Sequence, residues 1–118
     1  MPGTMSPRPA RTARTGVNAV VWIEPGRALI VRGGADDMPS VLEVPIPEQP
    51  AAVPPALAAV AHQVVQVDRV LVLGDDDLRT ALEREIVAIG HRPETIRDAV
   101  LDGPVGIAIL VAELRRLA

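Results

Sequence analysis

Three short runs of almost entirely apolar residues constrain the fold of this chain most strongly. They occupy residues 17–23 (VNAVVWI), 28–32 (ALIVR) and 68–74 (DRVLVLG). A strand with one face in water alternates apolar and polar residues, whereas a strand covered on both faces is apolar throughout. The runs therefore predict the central strands of an α/β sheet. Its core is aliphatic, because Trp22 is the only aromatic residue of the chain.

The first two runs are joined by a turn sequence, Glu24-Pro25-Gly26-Arg27. Proline presets one turn dihedral and glycine accepts a positive φ, so this sequence predicts a β-hairpin. A third run, VLEVPIP at 41–47, alternates between two sets of residues and contains Pro45. Proline has no N–H to donate to a sheet, which favours an edge position for this strand. We expect a three-stranded meander with the third strand at the edge.

The rest of the chain shows helical periodicity in three segments. A helix is predicted over 54–66, a second helix ends at Gly90 as its C-cap, and a third spans 104–117. The run at 68–74 lies between the first two helices. Residues 95–100 fit either a short edge strand or a short helix. The predicted order is therefore βββ-α-β-α-(β)-α.

This order limits the possible topologies. Right-handed helical crossovers after the meander place the fourth strand beside the first, which gives a mixed sheet of order 3-2-1-4-5. This is the arrangement of ribonuclease H-like folds. We expect one α/β domain over 16–118, preceded by a disordered Arg/Pro-rich arm at 1–15 that shows no periodicity.

Charge is divided between the arm and the body of the chain. All basic residues are arginines; the arm contains Arg8, Arg11 and Arg14 and no acid, so residues 16–118 carry a net charge of −6. An acidic body repels phosphate backbones, which disfavours broad nucleic-acid binding except through the arm or a local patch. The three arm arginines are candidates for contact with RNA or a protein partner. A solvated tail explains them equally well.

Several classes of protein are disfavoured by composition. The chain has no cysteine, which excludes disulfides, thiolate metal sites and cysteine nucleophiles. No apolar run reaches the roughly 18–20 residues that span a bilayer. The arm lacks the apolar stretch of a signal peptide. We expect a cytoplasmic protein without a membrane partner, and no cofactor or small-molecule substrate is predicted.

Four carboxylates are predicted to lie near one edge of the sheet. Glu24 ends the first strand, while Asp75, Asp76 and Asp77 follow the fourth strand, its parallel neighbour. Converging carboxylates there could hold the divalent metal ions of a nuclease. Helix capping by Asp75 or Asp76, with the other aspartates facing the positive end of the helix dipole, explains the same residues and is the interpretation we favour. No catalytic residue is assigned.

The two histidines do not indicate a site. His62 lies on the first predicted helix beside its apolar face, and His91 follows the second predicted helix. Isolated histidines in such positions more often cap or pack than act as bases or ligands. Because they are far apart and no cysteine is present, a zinc site is disfavoured.

The sequence also resembles a known family. The stretches NAVVWIEPGRALIV, VLEVPIP and DRVLVLGDDDLRTALERE resemble the middle domain of archaeal and eukaryotic peptide chain release factors and Pelota. They are more similar still to small bacterial single-domain proteins described as translational machinery proteins. The resemblance covers about 17–118. It implies the same sheet, favours a strand at 95–100, and implies the ribosome or another translation component as partner.

The catalytic motif of release factors is missing from the matching position. In that family a Gly-Gly-Gln tip lies between the third strand and the first helix, where this chain has PEQPAAVPP (47–55), with Gln49 but no glycine pair. The pair Gly33-Gly34 lies in an earlier turn and precedes Ala35. The resemblance therefore implies a non-catalytic accessory of translation. The alternatives are a self-associating interaction domain that forms homodimers and, third, a divalent-metal nuclease.

Overall fold

The computed structural model describes residues 15–34, 38–101 and 105–117. In this part of the chain the strands are β1 (Asn18–Glu24), β2 (Gly26–Gly33), β3 (Ser40–Ile46), β4 (Arg69–Gly74) and β5 (Ile96–Asp98). The helices are α1 (Val53–Val64), α2 (Asp76–Gly90) and α3 (Ile107–Leu117). Short 3-10 turns at Pro50–Ala52 and Pro93–Thr95 precede α1 and β5.

The strands form one mixed sheet of order β3-β2-β1-β4-β5, which confirms the predicted order. The β1/β2 and β2/β3 pairs are antiparallel, whereas β1/β4 and β4/β5 are parallel. In the hairpin, Glu24 pairs with Arg27 around the turn. Gly26 has a φ of 104°, a conformation that favours glycine and confirms its predicted place in the turn.

Helices cover both faces of the sheet, as the apolar strands indicated. Successive residues of β1 point to opposite faces, so Val21 belongs to the apolar cluster under α1 and α2, while Val20 belongs to the cluster under α3. Leu82 of α2 and Leu110 of α3 are fully buried in these two clusters. We call them the α1/α2 cluster and the α3 cluster.

The end of α2 differs from the prediction. Gly90 is the last helical residue, and the C-cap is His91, which adopts the left-handed conformation with a φ of 57°. A Cβ on Gly90 would collide with the side chain of Val65, the residue that follows α1. Gly90 is therefore required for close packing of the two helix ends rather than for the turn itself.

For two other segments, the prediction from sequence was ambiguous or incorrect. Residues 96–98 form a strand, as the family resemblance favoured, preceded by a 3-10 turn that begins at the proline. The third helix begins at Ile107 rather than at residue 104. Residue 104 lies outside the described residues, as do residues 1–14 of the arm predicted at 1–15. No helix in the described part of the chain is long and apolar enough to cross a membrane.

Candidate functional site

The carboxyl ends of β1 and β4 meet at one edge of the sheet, where the sequence predicted a site. Gly74 ends β4 with a φ of 119°, and a Cβ there would overlap the Ile23 carbonyl. The next residue, Asp75, donates its N–H to that carbonyl at 2.9 Å. Its side chain accepts a hydrogen bond from the N–H of Leu78 at 3.0 Å. Asp75 is thus the N-cap of α2, which confirms the capping interpretation.

The other two aspartates lie in the first turn of α2. Asp76 forms a 2.9 Å ion pair with Arg79, whose guanidinium also donates to the Ala99 carbonyl at 3.2 Å. Asp77 is exposed. Both carboxylates lie at the positive end of the helix dipole, where negative charge is stabilising.

Glu24 is held on the α3 side of the sheet by its own hydrogen bonds. It accepts one from the Trp22 indole N–H at 2.7 Å and one from the Arg27 Nε at 3.3 Å. Arg27 lies 3.8 Å from Glu43 on β3, so the two acids flank one guanidinium. Trp22 packs against the α3 cluster, whereas α2 covers the opposite face. Glu24 and the α2 cap therefore take part in separate interactions.

These positions bear on the metal hypothesis for Glu24, Asp75, Asp76 and Asp77. Within the described ranges, no group of three or more His, Cys, Asp or Glu residues is arranged so that it could hold a metal ion. The interactions of three of the four carboxylates are accounted for by capping and ion pairing. A metal site here stays a prediction, and a titration that tests it is described below.

A groove of about 390 Å³ lies beside the cap, under the connector between β3 and α1. It is lined by Pro25, Gly26, Ile46, Pro47, Glu48, Val53, Asp75 and Leu78. The connector enters α1 through the 3-10 turn at Pro50–Ala52, whose N-cap is Gln49. The only polar side chains in the lining are the carboxylates of Glu48 and Asp75. The groove therefore has apolar walls and an acidic rim.

A larger groove of about 640 Å³ lies between α2 and β5, and no sequence pattern predicted it. It is lined by Thr80, Glu83, Arg84, Val87, Ala88, Pro93, Ile96 and Asp98. Glu83 of α2 and Asp98 of β5 both line it, and their carboxyl groups are close enough to interact. The contact between these two residues depends on how β5 pairs with β4. The sequence of a three-residue strand does not show this pairing.

The Glu83 carboxyl is perturbed by this environment. Burial raises the pKa of Glu83, as do the hydrogen bond to Asp98 and the repulsion between the two carboxylates. Arg79 opposes this rise because its positive charge favours the ionised carboxylate. One Glu83 oxygen, Oε2, is buried without a hydrogen-bond partner among the described residues. The geometry is suited to a carboxyl pair that shares a proton.

The remaining predicted positions are dispersed. His62 is exposed on α1, and His91 caps α2 at the other end of that helix from the aspartates. Arg8, Arg11 and Arg14 lie outside the described residues. The histidines and the four carboxylates therefore do not form a common centre.

Comparisons with known proteins support the fold. No protein-family model matches the sequence, and neither does any curated protein. Among solved structures, the chain is similar to the crystal structure of an archaeal translation termination factor, aRF1, with a TM-score of 0.57 and 14% sequence identity. The match covers 91% of this chain and 39% of the termination factor. At this identity the likeness shows the fold alone: a release-factor-like α/β sheet of order 3-2-1-4-5.

Proposed function

We propose that this protein is a non-catalytic binding module of the translation machinery, which acts in the cytoplasm by binding the ribosome or another translation component. The observation that carries the proposal is the match to a translation termination factor across 91% of this chain. The sequence resemblance to the middle domain of release factors points the same way. Partners of the termination factor are thus the first to test.

The connector between β3 and α1 supports a role without peptidyl-tRNA hydrolysis. The resemblance places the catalytic Gly-Gly-Gln tip of release factors in this connector, and here Gln49 is flanked by Glu48 and Pro50. The 3-10 turn at Pro50–Ala52 leads directly into α1. This short connector lines a groove beside the α2 cap. It is suited to contact with a partner rather than to reaching into a distant catalytic centre.

Co-sedimentation with ribosomes through a sucrose cushion, at about 100 mM salt, tests this proposal. We expect the full chain to appear in the ribosomal pellet and to be released as salt increases. The triple variant Arg8→Ala, Arg11→Ala, Arg14→Ala tests the arm. Its charge-matched control replaces Arg84, Arg115 and Arg116, which are exposed on the helices. Wild-type protein found only in the free fraction would refute the proposal.

A specific observation favours self-association as a second candidate function. Among the described strands, β3 forms one edge of the sheet, and Val41 and Leu42 on it are 45% and 42% exposed, next to Met38 at 90%. An open apolar edge strand is a template for pairing with another chain. Light scattering after size-exclusion chromatography distinguishes the candidates. A dimer that Val41→Lys dissociates supports self-association, whereas a wild-type monomer at tens of micromolar removes it.

A further inference from the structure

A small groove of about 200 Å³ lies at the end of the sheet opposite the β3–α1 connector. Arg32 reaches it from the end of β2, and α1 contributes its last turn and the residues after it. The lining consists of Thr15, Val17, Arg32, His62, Gln63, Gln66 and Val67. We call it the Arg32 groove.

The polar side chains of the Arg32 groove are all capable of donating hydrogen bonds. A hydroxyl, a guanidinium, an imidazole and two amides line it, and none of its described lining residues is a carboxylate. The two grooves described above, beside the α2 cap and between α2 and β5, each contain a pair of acids, Glu48 with Asp75 and Glu83 with Asp98. In a body with a net charge of −6, a carboxylate-free groove is a local exception. Its donors match the oxygens of an anion.

Arg32 is held in place and has donor capacity to spare. One terminal nitrogen, Nη1, donates to the Gln63 carbonyl at 2.8 Å, which fixes the guanidinium against the end of α1. Its Nε is buried and has no hydrogen-bond partner among the described residues. An unsatisfied buried donor is destabilising, and an anionic oxygen would satisfy it. The bond to Gln63 also covers a carbonyl at the negative end of the helix dipole, which reduces its repulsion of an anion.

The chain before β1 is fastened beside this groove. Asp68 accepts hydrogen bonds from the Thr15 N–H at 2.8 Å, the Thr15 hydroxyl at 3.2 Å and the Gly16 N–H at 3.0 Å. The nearby negative charge is therefore engaged with the backbone and hydroxyl of the entering chain. Thr15 is preceded directly by Arg14 in the sequence. Thr15, which lines the Arg32 groove, is therefore the described residue that follows the arm arginines in the sequence.

We propose that the Arg32 groove binds a backbone phosphate of single-stranded RNA. The inference rests on the proposed function, because it names RNA as the part of the translation machinery that this face contacts. A phosphate oxygen accepts from the Arg32 guanidinium, and the amides of Gln63 and Gln66 donate to the remaining oxygens. The contact is independent of base sequence, since it involves the backbone alone.

Fluorescence anisotropy with a labelled ten-nucleotide single-stranded RNA tests the site on the full chain. Gln66→Glu is nearly isosteric and exposed, and it places a carboxylate at the groove; Arg32→Gln removes the guanidinium. We expect each to weaken RNA binding by roughly three- to tenfold at about 100 mM salt, as the loss of one charged phosphate contact does. Arg84→Gln, which removes an arginine from the α2–β5 groove, is the matched control and keeps wild-type affinity. Equal affinity of wild type, Gln66→Glu and Arg32→Gln would overturn the proposal.

Titration with inorganic phosphate, followed by amide chemical shifts, separates backbone phosphate from free phosphate. We expect shifts at Thr15, Gln63 and Gln66, with an affinity well below that for the RNA. Phosphate binding as tight as RNA binding would overturn the RNA assignment. If Gln66→Glu still co-sediments with ribosomes, and wild type and variants bind RNA equally, the groove is refuted and the proposed function stands. If wild-type protein does not co-sediment with ribosomes, but the variants bind RNA more weakly than wild type, the proposed function is refuted and the groove stands.

Discussion

Asp75 stabilises the start of α2 through one hydrogen bond to the Leu78 N–H. Removing an N-cap side chain costs about 1 kcal/mol of stability. We expect Asp75→Ala to lower the free energy of unfolding by about that amount in urea denaturation. Asp77→Ala removes a charge from the same helix end without removing the cap, so at moderate salt its effect is limited to a screened dipole interaction of about 0.3 kcal/mol. Equal effects of the two variants would contradict the capping role.

The same residues give an expectation for divalent metal ions. Because three of the four carboxylates at this edge, Glu24, Asp75 and Asp76, are engaged in a cap and in ion pairs, we expect about 10 mM Mg²⁺ or Mn²⁺ to leave the melting temperature unchanged. A site with a dissociation constant of about 0.1 mM would instead stabilise the native state by about 2.7 kcal/mol. A rise in melting temperature that Asp75→Asn abolishes would favour the metal hypothesis.

Glu83 links stability to pH. Its pKa is raised in the native state by burial and by Asp98, so the native state holds this proton more tightly than the unfolded chain does. The resulting stabilisation is complete below the unfolded pKa, about 4.3, and is lost as the pH rises through the native pKa. We expect Glu83→Gln to be more stable than wild type at pH 7. The advantage should shrink towards pH 4.

Urea denaturation of both proteins across this pH range measures the effect. Glu85→Gln, which removes the same charge from the other side of α2, is the control and should not reproduce the pH dependence. A Glu83→Gln protein that is less stable than wild type at pH 7 would show that the carboxylate pair stabilises the fold.

At the level of elements, α3 alone covers the face of the sheet opposite α1 and α2 in the described chain. Its Leu110 is fully buried against the strands, whereas Ile109 is 41% exposed. Truncation of a buried leucine to alanine costs about 2–5 kcal/mol. We therefore expect Leu110→Ala to destabilise the protein by that amount and Ile109→Ala by about 0.5 kcal/mol or less. Comparable losses in urea denaturation would mean that α3 is packed in another orientation.

The elements that sequence predicts well are those whose signal is local. β1, β2 and β4 are apolar at successive positions because both faces are covered, and their order follows from the handedness of the crossovers. The cap at Asp75 needs only a residue type at a helix start. The strands and the cap are each decided within a few residues of the chain, and the strand order then follows from a general rule on connections.

The features that sequence does not reveal depend on contacts between distant segments. The C-cap of α2 is His91 rather than Gly90. Gly90 is the last helical residue, and the side chain of Val65 leaves no room for a Cβ there. The Glu83–Asp98 pair requires β5 to lie beside β4, and Arg32 meets Gln63 across 31 positions of sequence. Residue types at these positions carry no pattern of their own. They become candidates only when the packing brings them together.

Across the whole molecule, the two apolar clusters share the same strands. Neighbouring residues of β1 and β4 point alternately into the α1/α2 cluster and the α3 cluster, as Leu71 and Val72 do. Loosening one face therefore displaces strands that form the floor of the other. This sharing predicts a single cooperative unit, and one domain over 16–118 stays a prediction.

Trp22, the only aromatic residue, provides a test of this cooperativity because it packs against the α3 cluster. Leu82 lies in the α1/α2 cluster on the opposite face and is fully buried. We expect Leu82→Ala to lower the free energy of unfolding by about 2–5 kcal/mol. The urea midpoint measured by Trp22 fluorescence and the one measured by far-ultraviolet circular dichroism should fall by the same amount. If the tryptophan transition stayed at its wild-type midpoint while the circular dichroism transition moved, the two faces would unfold separately. A common shift would show that the sheet transmits the loss of packing from one cluster to the other.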